Sequence, residues 1–162
     1  MKKLLIDIIN ICAITTMLII PSGYVRANDD NGKLPHVDSN SQFPQTKWSN
    51  VRQSLQVHIP KNSQIVSQIS IVIPETVSWS NKISDVVVTG NKIEKANTNI
   101  SINEKIIVIS FKQALPPNSK LEIDIKNVKQ PFLGNGPIYR LFTKFIGSNV
   151  EIPIGLARFR VI

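Results

Sequence analysis

The chain has 162 residues, with 19 Lys or Arg against 11 Asp or Glu and a formal net charge of +8. That length has room for one ordinary domain with a single core and excludes two. One cysteine, Cys12, and two histidines, His36 and His58, exclude a disulfide scaffold and offer little to a metal or nucleophilic centre.

Lys2 and Lys3 precede an apolar run that ends at Ile20, and Pro21, Gly23 and Val25-Arg26-Ala27 follow it. This order predicts a secretory signal peptide over residues 1–27, cut after Ala27. Asp7 interrupts the run and leaves thirteen residues, Ile8 to Ile20. A spanning helix needs roughly 20, so no transmembrane span is expected after cleavage. Cys12 sits mid-run behind Asn10 and Ile11, where a lipid-modified cysteine would follow a small residue, and reads as part of the apolar region.

Cleavage would leave 135 residues carrying 16 basic and 10 acidic side chains, and the protein would be secreted or periplasmic, or held at the cell envelope. A net charge of +6 favours anionic partners. Outside the cytoplasm these are lipid headgroups, acidic glycans or cell-wall polymers, with no nucleic acid.

Residues 28–50, NDDNGKLPHVDSNSQFPQTKWSN, are dominated by Asn, Asp, Ser, Gln, Pro and Lys. Such a stretch buries too little apolar surface to offset the entropy of ordering it, which predicts a polar flexible arm with Phe43 and Trp48 as its docking points.

From residue 51 to residue 162 the pattern has period two, as in a sheet whose alternate side chains face opposite ways. Leu55, Val57 and Ile59 share one face, with Gln56 and His58 on the other. Ile69, Ile71 and Ile73 repeat this in QISIVIP, and ISDVVVTG and NISI are shorter strands. ETVSWSNKI reads as a loop or one short helical turn that carries Trp79 inward. KIIVISF is apolar on both faces, as in a strand covered on both sides. In KLEIDIKNV, Leu121, Ile123 and Ile125 alternate with Glu122, Asp124 and Lys126, and IYRLFTKFI and LARFRVI close the chain. Turn signals between the runs and the lack of a long amphipathic helix predict an all-β, antiparallel, immunoglobulin-like β-sandwich of seven to nine short strands over residues 51–162.

Three pieces in order carry a resemblance: ISIVIPE with SDVVV, then ISFKQALPPNSKLEIDI with NVKQP, then GPIYRLFTKFIGSN with IPIGLARFRVI. Over Gln68 to Ile162 the chain resembles the secreted cyanobacterial family catalogued as domain of unknown function 2808. It departs from that family in its N-terminal arm, in Asn118 where the double-proline turn usually continues with Gly, and in a less aromatic strand before Pro74. The resemblance implies export and an all-β domain, and attaches no activity. The layout is also similar, at the level of fold alone, to periplasmic copper-carrying sandwiches.

Motifs for chemistry are sparse. His36 falls in the arm and His58 on an outward strand face, so both read as solvated side chains and no metal ligand is assigned. Asp29-Asp30-Asn31-Gly32 and Asp38-Ser39-Asn40 lack the spacing and closing Glu of a calcium loop. There is no Gly-x-Ser-x-Gly elbow, and Glu122 with Asp124 read as an exposed sheet face, so no catalytic or cofactor-binding residue is assigned. The segment Gly134-Asn135-Gly136-Pro137 runs from strand to strand, unlike a phosphate loop that opens a helix, and reads as a turn.

One constellation has shape. If the last two strands are antiparallel neighbours, Arg140 and Lys144 share an outer face with Arg158 and Arg160, while Ala157, Phe159 and Val161 face inward. Four cations with Phe142 between them could hold an anionic polymer; a solvated face screened by Glu122 and Asp124 is the plainer alternative. The expectation is an exported, non-enzymatic binding or structural module. Its partner would be an anionic envelope polymer or another envelope protein. A small periplasmic copper carrier is the competing class.

Overall fold

The structure, a computed structural model, describes residues 32–45, 50–91, 97–129, 131 and 134–160. The expected signal peptide with its cut after Ala27, and Trp48 and Val161, lie outside these residues.

Nine strands form two antiparallel sheets. In chain order they are β1 (His36–Phe43), β2 (Val51–Ile59), β3 (Val66–Val72), β4 (Val86–Gly90), β5 (Thr98–Asn103), β6 (Ile106–Leu115), β7 (Ser119–Val128), β8 (Ile138–Phe145) and β9 (Glu151–Arg158). One sheet has the order β1-β2-β7-β4 and the other β5-β6-β3-β8-β9. The molecule is therefore an all-β sandwich, with a short 3-10 turn, Ile83–Asp85, leading into β4.

The inner faces follow from the alternation. Leu55, Val57, Ile59, Leu121, Ile123 and Ile125 from the first sheet meet Ile69, Ile71, Ile107, Ile109 and Leu141 from the second, all buried. Isoleucine and valine dominate because their branched side chains pack on a pleated surface with few alternative rotamers. Trp79 joins this core from the β3–β4 connection, which an isolated bridge between Ser78 and Lys129 fastens down.

Two expectations are corrected. The arm expected over residues 28–50 contains β1, an edge strand paired with β2 from His36↔His58 to Phe43↔Arg52. Beyond Val37, which packs against the core, its inward positions are polar: Asn40 Nδ2 donates to Arg158 O at 2.8 Å, and Gln53 Nε2 donates to Gln42 Oε1 at 3.2 Å. Hydrogen bonds hold this strand where apolar burial would hold another, so composition alone did not reveal it. Strand β6 is not covered on both sides, since Ile106 is 39% exposed and Val108 half-buried on its outer face.

The side on which β1 lies over β9 is closed by a buried polar group of residues. Tyr139, fully buried on β8, donates its hydroxyl to Gln53 Oε1, and its ring meets Phe159 edge-on at 5.3 Å. Burial holds the phenol neutral by raising its pKa far above the ordinary value.

The Gly134–Pro137 segment is a turn between β7 and β8. Both glycines have positive φ, 105° at Gly134 and 82° at Gly136. A Cβ on Gly134 would meet open space, whereas one on Gly136 would lie 1.8 Å from Phe159 O. Phe159 N donates to Pro137 O at 3.0 Å, so this turn is seated directly on the end of the chain's last strand. Asn118 also has a positive φ, 59°, and so meets at the double-proline turn the backbone requirement that glycine meets elsewhere.

These contacts separate two substitutions of one kind. Gly134→Ala should cost only the backbone strain, about 1–2 kcal/mol. Gly136→Ala adds a backbone clash and should cost about 3 kcal/mol or more. Urea unfolding of both variants measures the difference; equal losses would mean that the loop does not seat on Phe159.

Candidate functional surface

Strands β8 and β9 are antiparallel neighbours, with Ile138↔Arg158, Arg140↔Leu156 and Lys144↔Glu151 in register. Residues directly opposite share a face, and alternate residues of one strand do too. Arg140 and Arg158 therefore lie diagonally on the outer face of the five-stranded sheet, both exposed, with Leu156 between them at 65% exposure. Arg160 follows two residues on and is exposed as well.

The fourth cation stands apart. Lys144 is four residues from Arg140 on the same face, about 13 Å along the strand, and opposite Glu151. Glu151 Oε1 accepts from Gln68 Nε2 at 2.9 Å and from Ser70 Oγ at 2.7 Å, so a carboxylate and its network occupy that end. Phe142, half-buried, separates the two ends. The structure thus groups Arg140, Arg158 and Arg160, and places Lys144 in a mixed-charge neighbourhood.

Glu122 and Asp124 do not screen this group. Both lie on β7, on the outer face of the other sheet, where Asp124 accepts a hydrogen bond from Ser54 Oγ. Two grooves meet at Arg158 and Arg160 instead, and Arg140 lines neither. One of about 540 Å³ is lined by Asn40, Ser41, Gln42 and Gln45 together with Arg158 and Arg160. A second, of about 370 Å³, is lined by Gly134, Asn135, Arg158 and Arg160. Neither lining contains a carboxylate. Alternation in the sequence pairs the arginines, but not the amides of β1 beside them, because the composition of residues 28–50 is that of an arm.

The histidines need a further correction. His36 and His58 are directly opposite on β1 and β2, their rings edge-on with centroids 5.2 Å apart. His58 is 2% exposed, not solvated, and His36 Nε2 is buried with no hydrogen-bond partner. Two imidazoles fall short of the three or four protein ligands that hold copper or zinc. Among the described residues no His, Cys, Asp or Glu cluster of three completes such a site, so the residues present do not fit a bound metal.

A third feature sits at the end where the 3-10 turn lies. Ser80 Oγ donates to Asp85, and Asn127, itself at a positive φ of 55°, donates to the same carboxylate. These two hydrogen bonds, then burial acting the other way and the charges of Lys82 and Lys126, hold the Asp85 pKa below its ordinary value of 3.8. A depressed carboxylate stabilises the fold above its unfolded pKa and loses that contribution as pH falls through its folded value. Asp85→Asn should therefore lower the urea midpoint at pH 7, and the gap to the native chain should close as pH falls below 3.8. A gap that persists unchanged into that acid range would show that the charge is not what Ser80 and Asn127 stabilise.

Among the described residues no helix is long and apolar enough to cross a membrane. No curated protein matches the chain. The sandwich is similar to the N-terminal domain of the Streptococcus gordonii adhesin Sgo0707, with a TM-score of 0.53 and 10% identity, covering 83% of this chain and 33% of that one. It is similar to BcpA, the major pilin subunit of Bacillus cereus, with a TM-score of 0.54 and 8% identity, covering 79% and 40%. The collagen-binding domain from a Staphylococcus aureus adhesin gives a TM-score of 0.44 at 14% identity, covering 76% and 95%. For the first two, at these identities, the likeness is one of fold, and the chain spans only about a third to two fifths of those proteins. The resemblance seen over Gln68 to Ile162 extends back through β1 and stops short of the closing strand, for the family described as "Protein of unknown function (DUF2808)" matches residues 32–143, and the chain belongs to that family.

Proposed function

We propose that the protein is an exported, non-enzymatic binding module of the cell envelope, and that it holds an anionic envelope polymer on the surface formed by Arg140, Arg158 and Arg160. The observation that carries this reading is the composition of the two grooves. The guanidinium groups of Arg158 and Arg160 stand there beside the amides of Asn40, Gln42, Gln45 and Asn135, without a carboxylate in either lining, and Arg140 adds its charge on the adjoining sheet face. Guanidinium groups bind carboxylate or phosphate in bidentate fashion, and amides and hydroxyls satisfy the polar remainder of a glycan chain. Among the described residues no ion pair neutralises the three arginines. Leu156 and Phe142 offer apolar area for the faces of sugar rings.

That an adhesin domain and a pilin share the architecture supports a role at the surface, and the basic charge supports an anionic partner. A hydrolase finds no support in the residues. A metal carrier has only the His36–His58 pair in its favour. One tightly bound equivalent of copper, lost on His58→Ala, would overturn the binding-module reading.

The direct test is charge reversal. Arg158→Glu with Arg160→Glu should weaken retention on isolated envelope at low salt about tenfold or more, since each lost charge-assisted contact is worth roughly 1.5–3 kcal/mol. Lys144→Glu should change retention much less. Unchanged retention of the double variant would exclude this surface as the contact.

A further inference from the structure

The four sheet edges are not protected alike. Strand β1 carries a register shift between Val37 and Ser39, bears Asp38, and lies over β9. Strand β9 carries Glu151, Pro153 and Arg158, with a register shift between Leu141 and Phe142 on its partner. Strand β4 has only five residues and ends on Gly90. Charges, proline, bulges and brevity are the devices by which an edge avoids pairing with another chain.

Strand β5 has no charge, proline or bulge, and the 3-10 turn Ile83–Asp85 packs beside it. It reads Thr98-Asn99-Ile100-Ser101-Ile102-Asn103, uncharged and without proline, and pairs with β6 in unbroken register. Among the described residues its other edge pairs with no strand. Asn99, Ser101 and Asn103 are exposed on the outer face, and Ile100 and Ile102 are half-buried on the inner one. Beside it runs a groove of about 440 Å³ lined by Ile83, Val86, Val87, Val88 and Ile100 together with Thr98 and Asn99, with Ile83 55% exposed.

We infer that β5 is a self-pairing edge, and that its partner is the β5 of a second copy of this chain. The ground is the sequence Asn99-Ile100-Ser101-Ile102-Asn103, which reads the same in both directions. An isologous contact places a surface against itself across a two-fold axis. In an antiparallel pair centred on Ser101, Ser101 faces Ser101, Ile100 faces Ile102, and Asn99 faces Asn103. Residues opposite one another share a face, so the isoleucines extend the apolar layer into the partner while the amides and hydroxyls line the solvent side.

Charge points to the same partner. A chain of net charge +8 repels a second copy, and a strand free of charge is where two copies meet at least cost. The flanks agree: in this register Glu104 stands opposite Thr98, and Lys105 opposite Asn97, so no like charges meet. Centring on Ile100 instead would set Thr98 against Ile102 on the core side, a poorer match.

The test uses the full chain carrying Cys12→Ser, to which single cysteines are added. Opposed residues across an antiparallel pair lie within disulfide reach. Ser101→Cys should therefore give disulfide-linked dimers on mild oxidation, while Asn149→Cys, in the exposed β8–β9 turn, should stay monomeric. In sedimentation equilibrium the native chain should dimerise. Asn99→Lys with Asn103→Lys sets two pairs of like charges opposite each other and should raise the dimer dissociation constant roughly tenfold. Asn99→Lys with Asn103→Glu sets opposite charges there and should restore it. The inference is overturned if the native chain stays monomeric at its highest soluble concentration. It is also overturned if Ser101→Cys crosslinks no faster than Asn149→Cys, or if the double-lysine variant dimerises as well as the native chain.

Discussion

The fold depends on a hydrogen bond that replaces apolar packing at one side of the sandwich. Tyr139 reaches from β8 to the side chain of Gln53 on β2, and Gln53 reaches on to Gln42 on β1. A glutamine fully buried on an inner face would be a liability if either partner were lost, because an unsatisfied buried amide costs about 1–3 kcal/mol. Satisfied on both sides, it joins three strands from two sheets. The Asn40 contact to Arg158 O then fixes β1 against the end of β9, and the arginines are carried on that join.

The opposite side of the molecule is built differently. There β4 and β5 are both edges, one in each sheet, and a groove of mixed apolar and polar lining lies between them. The sandwich is thus latched by polar contacts where its basic surface lies, while among the described residues no strand joins the two sheets where its uncharged strand lies. The two features do not compete for area, so a polymer held at the arginines leaves the β5 edge accessible.

Much of the core was legible in the sequence because strand alternation is a local signal: Ile69, Ile71, Leu121, Ile123 and Ile125 all face inward as their spacing requires. Strand β1 was not legible, because Val37 is its single apolar inward residue and the others, Asn40 and Gln42, have partners 118 and 11 residues away in the chain. The burial of the histidines is hidden from the sequence for a related reason. Alternation placed His58 on the outer face, but only the pairing of β1 with β2 brings His36 over it. For the cations, alternation gave the shared face of Arg140 and Arg158, while the company kept by Lys144 depends on Gln68 and Ser70 from a distant strand.

The contact between Gly136 and Phe159 O separates two kinds of inheritance in the basic surface. The position of Arg158 and Arg160 comes from main chain lying on main chain, at a glycine that offers no group to any ligand. Their chemistry comes from side chains that leave the backbone freely. The surface can therefore exchange one charge or amide for another and still present it at the same place, while a single methyl group added in the turn would move them all together.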